Sequence, residues 1–184
     1  MRAQATSLDE PTTVCMRDGS RVTIRPCTAD DEPALFGFLA GLCMEARRLR
    51  FFTGAVDVGE AAYLSAESDP HRAGLVAFDE DGDLVGHALF IQLGKHEPSR
   101  AEVAIEVADD LHGLGLGTIL IERLGEIAEH RGVDTFVAEV LPDNDAMLDV
   151  FRDGFDADVH RRGGIESVEF PTSAWRLAHK RYAI

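Results

Sequence analysis

Two neighbouring segments of the 184-residue sequence carry residue types that do chemistry. One is a glycine run, Val107-Ala108-Asp109-Asp110-Leu111-His112-Gly113-Leu114-Gly115-Leu116-Gly117-Thr118, with glycines at three alternate positions ahead of an amphipathic helical stretch. Glycine lets backbone come close to a ligand. The first amides of a helix lack an internal acceptor and lie at the positive end of its dipole, so the natural guest is a phosphate or pyrophosphate. The other segment holds two carboxylates, Glu102 and Glu106, in the apolar strand just before the run. Strands of this character disfavour glutamate unless it faces solvent or a cleft. In a cleft a carboxylate can take a proton from a nucleophile. On a wet face it is merely solvated, and the shared parity of the two acids fits that plainer role too.

The glycine run departs from the two commonest nucleotide loops. A phosphate loop of the Walker type needs Gly-Lys-Ser/Thr, and no lysine follows here. A Rossmann turn puts its first glycine at the strand end within the first strand-turn-helix unit. Here five residues separate Val107 from Gly113, several strands precede the run, and Asp134 lies at the start of a strand rather than its end.

Other candidate chemistry is thinner. Cys15, Cys27 and Cys43 are odd in number and lack CxxC spacing, which argues against a disulfide framework or a zinc site and for a reducing compartment. As nucleophiles Cys27 and Cys43 need a histidine partner that sequence does not place, and both are expected to be buried, inert thiols. His71, His87 and His96 show no metal spacing, so no metal is expected. The formal net charge of -15 argues against nucleic acid and anionic membranes and favours partners with exposed lysine or arginine. No signal-peptide run and no membrane-length apolar run occurs, so the reading is a soluble, cytoplasmic protein.

Around the site the pattern predicts a single domain. Residues 1–18 are polar and read as a flexible N-terminal arm. A strand over 21–27 ends near Pro26, and Thr28 with Asp31 forms a capping box for a helix carrying Leu35, Phe38, Leu39 and Leu42. Helices follow over 45–52 and 59–67, then a hairpin of 74–78 and 84–91 about Asp81-Gly82. A strand over 100–107, a helix over 119–130, a strand over 133–140, a helix over 144–152 and a hairpin of 155–160 and 165–170 complete the body, and 172–184 reads as a basic helical tail. Strands cluster instead of alternating with helices, which predicts a mixed sheet with helices on its faces.

The spacing of the glycine run also resembles the coenzyme A signature of the GNAT superfamily, Val-x-x-x-x-(Gln/Arg)-x-x-Gly-x-(Gly/Ala). Val107, Gly115 and Gly117 fall on its fixed positions, and His112 stands where the family has Gln or Arg. The resemblance covers roughly residues 20–170, and it implies an α/β (α+β) GNAT fold with a mixed, mostly antiparallel sheet over residues 19–171. Acetyl-CoA is the implied cofactor. It would be held by the backbone of Ile105 and Val107 along its pantetheine arm and by the amides of His112, Gly113, Leu114, Gly115, Leu116, Gly117 and Thr118 at its pyrophosphate. Asn144 falls where the superfamily often has a coenzyme-contacting asparagine; helix capping is its compatible alternative.

Further segments are similar to the Pat-type bacterial protein lysine acetyltransferases that act on acyl-CoA synthetases. These are Ile24-Arg25-Pro26, Met44-Glu45-Ala46-Arg47-Arg48-Leu49-Arg50-Phe51-Phe52, Ala101-Glu102-Val103-Ala104 and Val140-Leu141-Pro142-Asp143-Asn144 with Ala146-Met147-Leu148. That resemblance implies Glu102 as the general base; the parity it shares with Glu106 would be broken if the strand bulges between the two acids. A lysine amine titrates near ~10.4 and must lose a proton before it attacks an acyl group. The expected partner is a protein with an exposed lysine, an acyl-CoA synthetase among the targets of that group. Two other readings stay open: a GNAT enzyme of a small amine, and a non-catalytic acetyl-CoA-sensing domain. Phe151 stands where many GNAT enzymes carry an acidic tyrosine, and the segment before Gly154-Phe155 is one residue short of the family pattern. Arg50-Phe51-Phe52 reads as a packed helix end or a wall of the acceptor groove.

Overall fold

The computed structural model describes residues 10–53, 55–67, 69–94, 96–174 and 176. Its frame is an eight-stranded sheet in the order β1-β2-β3-β4-β5-β6-β8-β7. The strands are β1 Thr12–Cys15, β2 Arg21–Pro26, β3 Arg72–Phe78, β4 Leu84–Gln92, β5 Arg100–Val107, β6 Thr135–Val140, β7 Asp158–Arg162 and β8 Ile165–Pro171. All neighbouring pairs run antiparallel except β5 with β6. The helices are α1 Glu32–Gly41, α2 Met44–Phe51, α3 Val58–Ala66, α4 Leu116–His130 and α5 Asp145–Asp149. This is the mixed, mostly antiparallel sheet flanked by helices that the strand clustering predicts.

The helices cover opposite faces because the strands alternate two apolar sets. Ile24, Leu75, Ala77, Phe90, Ala101, Val103 and Ile105 pack against Leu120, Ile121, Leu124 and Ala128 of α4. On the other face Val76 and Cys27 meet Leu35, Leu39 and Leu42 with Ala62 and Ala66. α4 lies so close to β4 that a Cβ on Gly86 would stand 3.0 Å from Leu116 Cδ2. The capping box holds as expected: Asp31 Oδ2 accepts from Thr28 N at 2.8 Å, and Arg25 pairs with the same carboxylate.

Part of the arm expected over residues 1–18 is instead a strand. Thr12–Cys15 pairs with β2, Met16 is buried in the core, and Met16 N donates to Ser20 O across the turn at Gly19, whose φ is +89°. Three β-branched residues and a cysteine, too few to show a period of their own, gain a partner in β2, which a reading of local periodicity misses. The tail expected over 172–184 begins with a short turn at Thr172–Ala174, and beyond Ala174 only Arg176 is among the described residues.

The join between β5 and β6 matters most for function. They pair only at Arg100↔Thr135, Ala101↔Phe136 and Glu102↔Val137, and then diverge. β5 continues to Val107 and β6 to Val140, so the sheet opens into a wedge at its centre.

Candidate active site

Backbone phase decides what the wedge presents. Arg100 O accepts from Leu93 N, and Ala108 N donates to Val85 O, so even-numbered residues of β5 direct their backbone groups to β4. Ser99 O accepts from Asp134 N and Thr135 N on the opposite side. By alternation Val103, Ile105 and Val107 turn their N–H and C=O groups to the gap. An open strand edge is a template for an extended guest with amide groups. The Val107 carbonyl there already has one partner, His112 Nε2 at 3.0 Å, so the irregular residue of the signature braces the strand end through its ring. The gap widens into a cleft of about 440 Å³ whose walls include Ile105, Val107, Gly117, Ala138, Asn144 and Phe151.

The glycine turn closes one end of this cleft. Gly113 has φ +76° and Gly115, the residue preceding α4, φ +97°, both in the left-handed region glycine favours. The first i→i−4 bond runs from Ile119 N to Gly115 O at 3.2 Å, so Leu116, Gly117 and Thr118 bring their amides to the helix mouth ahead of it. The His112 and Leu114 amides instead donate to Asp109 O and Leu111 O within the turn, both at 3.3 Å. Leu116 is buried, with its side chain turned toward Gly86 of β4. At Gly117 φ is unrestrictive, and an added Cβ would sit 3.7 Å from Ile105 Cδ1; the missing side chain leaves space for a guest.

The two carboxylates separate cleanly. The β4–β5 register runs without a shift from Gly86↔Val107 to Gln92↔Ala101, so no bulge separates Glu102 from Glu106 and both project from the same face. Glu106 is nonetheless buried, at 5% exposure. Arg50 Nε of α2 donates to one oxygen, and His87 Nδ1, on the cross-strand neighbour, lies 3.1 Å from the other. Burial pushes this carboxyl up, but the Arg50 charge and the His87 hydrogen bond outweigh it and hold it below the ordinary range. A carboxylate so engaged is a poor proton acceptor. Glu102 is exposed and makes no side-chain hydrogen bond among the described residues. It lines the cleft and also a second cavity of about 330 Å³ on the α3 side, and Arg50 and Ala104 are shared by both. Sequence parity could not separate these acids; the distinguishing signal was Arg50 in a basic-aromatic run and His87 in an apolar strand.

The remaining candidates fall into place. Asn144 caps α5, its Oδ1 accepting from Met147 N at 3.2 Å, and also lines the cleft, so both of its expected roles are open. Phe151 is buried against Phe170, with ring centroids 5.3 Å apart, and brings no proton donor. It lies in a π turn, Val150–Gly154, where the sequence departs from the family spacing. Cys27 is buried, and burial pushes its thiol up to about 12, which leaves no useful thiolate near neutrality. Cys43 corrects the expectation of burial: it is exposed, and its Sγ caps α2 by accepting from Ala46 N at 3.3 Å. Among the described residues no helix is long and apolar enough to cross a membrane.

Comparison with known proteins agrees with this geometry. The acetyltransferase (GNAT) family matches residues 42–155, which include both acids, the glycine turn and Asn144. Acetyltransferase PA5475 of Pseudomonas aeruginosa is 29% identical over 137 residues, 72% of this chain and 73% of that protein. Acetyltransferase Pat of Mycolicibacterium smegmatis is 42% identical over 66 residues, 36% of this chain and only 20% of that longer protein. Among solved structures, the GNAT domain of S. lividans PAT superposes with a TM-score of 0.80 at 29% identity, covering 88% of this chain and 96% of that one.

Proposed function

From the premise that the chain belongs to the acetyltransferase (GNAT) family, whose acyl donor is acetyl-CoA, we propose that it acetylates a lysine side chain of a protein, with Glu102 as general base. The observation that carries this reading is the position of Glu102, an unengaged carboxylate on the wall common to the cleft and the second cavity. The residues fit the coenzyme. The gap-facing groups of Ile105 and Val107 are those an amide-bearing pantetheine arm needs, and the amides at Leu116, Gly117 and Thr118 suit a pyrophosphate. Bound there, the coenzyme supplies an activated thioester.

The chain's own residues do the rest. The acceptor amine approaches through the second cavity, where Asp57 and Glu60 join Glu102 in favouring a cation. Glu102 removes a proton from the ammonium, directly or through water, and leaves a lone pair free to attack the acyl carbon. The amine N–C bond forms as the C–S bond breaks. Phe151 has no proton to give, so the departing thiolate is protonated by water or by the product's own released proton. The similarity to the S. lividans PAT domain and to Acetyltransferase Pat supports a protein acceptor, an acyl-CoA synthetase being the first to assay.

The test is labelled acetyl-CoA offered with a soluble proteome, and separately with free polyamines and amino acids. Label in protein lysines supports the reading; label in small amines alone sinks the protein acceptor. Glu102→Gln should keep acetyl-CoA affinity and lose turnover by roughly 10²–10⁴-fold. Unchanged turnover removes Glu102 from the mechanism.

A further inference from the structure

The β1–β2 turn carries an arginine directly against the glycine turn, far from it in sequence. Arg17 Nη1 donates to Gly113 O at 3.2 Å, and Arg17 N lies 3.5 Å from Leu114 O. An added Cβ on Gly115 would find Arg17 Nε at 3.8 Å, so the guanidinium lies along the whole turn. Buried Met16 anchors this attachment in the core immediately beside Arg17. Arg17 also lines the cleft.

Charge gives the placement its meaning. The chain carries a formal net charge of -15, and five carboxylates line the cleft against two arginines. Of those two, Arg50 lies at Glu106, and Arg17 is the one that touches the glycine turn. A ligand bearing a pyrophosphate and a ribose phosphate meets a repulsive field unless a cation stands where its phosphates sit. A guanidinium has five N–H donors in a planar fork, enough to hold a turn carbonyl and a phosphate oxygen together.

We propose that Arg17 is a coenzyme-binding residue, contributed by the β1–β2 hairpin, that pairs with a phosphate of acetyl-CoA at the glycine turn. The inference rests on the coenzyme site described above and deepens it. The hairpin then works as a strap: it completes the sheet edge and delivers the positive charge that the glycine turn lacks.

Calorimetric titration of the full chain tests this without any acceptor. Acetyl-CoA is titrated into the wild type, Arg17→Ala, Arg17→Gln and Arg17→Lys, and 3′-dephospho-CoA serves as second ligand. Loss of one charge-assisted contact predicts roughly 10- to 100-fold weaker acetyl-CoA binding in the Ala and Gln variants, with part of it kept in Lys. The wild type should also lose affinity more steeply with salt than Arg17→Gln. A loss that persists with 3′-dephospho-CoA assigns Arg17 to the pyrophosphate, and one confined to the full coenzyme assigns it to the 3′-phosphate; either supports the proposal. Binding within twofold of wild type in both neutral variants overturns it. So does full recovery in Arg17→Gln, because a neutral donor to Gly113 O would then suffice. A wild type that fails to bind acetyl-CoA overturns the coenzyme site itself, and the proposal with it.

Discussion

Removing Arg50 should unmask the cost of burying Glu106. In the wild type that carboxylate is 5% exposed and held between Arg50 and His87. Arg50→Ala deletes the compensating charge and leaves a buried anion with one remaining partner. Breaking a buried pair in this way costs about 3–5 kcal/mol, a large share of the ~5–15 kcal/mol a domain has. For a chain of this size that lowers the melting temperature by roughly 6–20 °C. The pH dependence is diagnostic. In the wild type the folded carboxyl lies below its unfolded range, so its contribution is complete above that range, near ~4.3, and fades as pH falls through the folded value. Without Arg50, burial acts unopposed and raises the folded carboxyl above its unfolded value, so stability is recovered as pH falls and the group takes up a proton. The gap between variant and wild type should therefore narrow from pH 8 to pH 5, read by urea denaturation at each pH. Adding Glu106→Gln to Arg50→Ala removes the orphaned charge and should restore much of the loss. A loss below about 1 kcal/mol, or one flat across that pH range, would refute the reasoning.

Two further outcomes follow from the same geometry. Gly115→Ala forces a side chain into φ +97° and should cost roughly 1–2 kcal/mol in thermal unfolding; Gly117→Ala meets only ordinary contact and should melt near wild type yet bind acetyl-CoA more weakly, because its methyl enters the cleft. In a thiol titration at neutral pH, exposed Cys15 and Cys43 should react promptly, whereas Cys27 should wait for denaturant; prompt reaction of all three contradicts its burial.

What the sequence disclosed and what it withheld divide along a physical line. Local signals read well: Thr28 with Asp31, the turn at Gly82, the apolar face of α4 and the glycines at 113 and 115 all report conformations fixed by near neighbours. Glu102 and Glu106 were visible as odd residues in an apolar strand, but their difference comes from Arg50 on α2 and His87 on β4, brought in by tertiary contact. The first strand was lost for the same reason. Thr12–Cys15 has little signal of its own and exists because β2 offers it an edge. Arg17 went unnoticed with it, since nothing local ties residue 17 to residue 113.

The wedge between β5 and β6 ties these observations together. A central strand pair that stops after three residue pairs leaves Val103, Ile105 and Val107 without a partner on the β6 side, in the middle of the sheet. Backbone groups in such a position are costly when dry and invite aggregation when exposed. The flanking structure keeps the gap open instead of closing it. Phe136 is fixed between Phe90 and Phe170 where the strands meet, α5 with its π turn fills the far side, and His112 braces Val107. α2 spans the opening although none of its residues is buried; Arg47 holds the end of α1, Arg48 reaches Asp143, and Arg50 reaches Glu106. So many separate contacts around the gap support its reading as a binding feature rather than a packing defect. The backbone that lines it is the backbone the proposed coenzyme site uses, and Glu102 stands at the last of the paired residues.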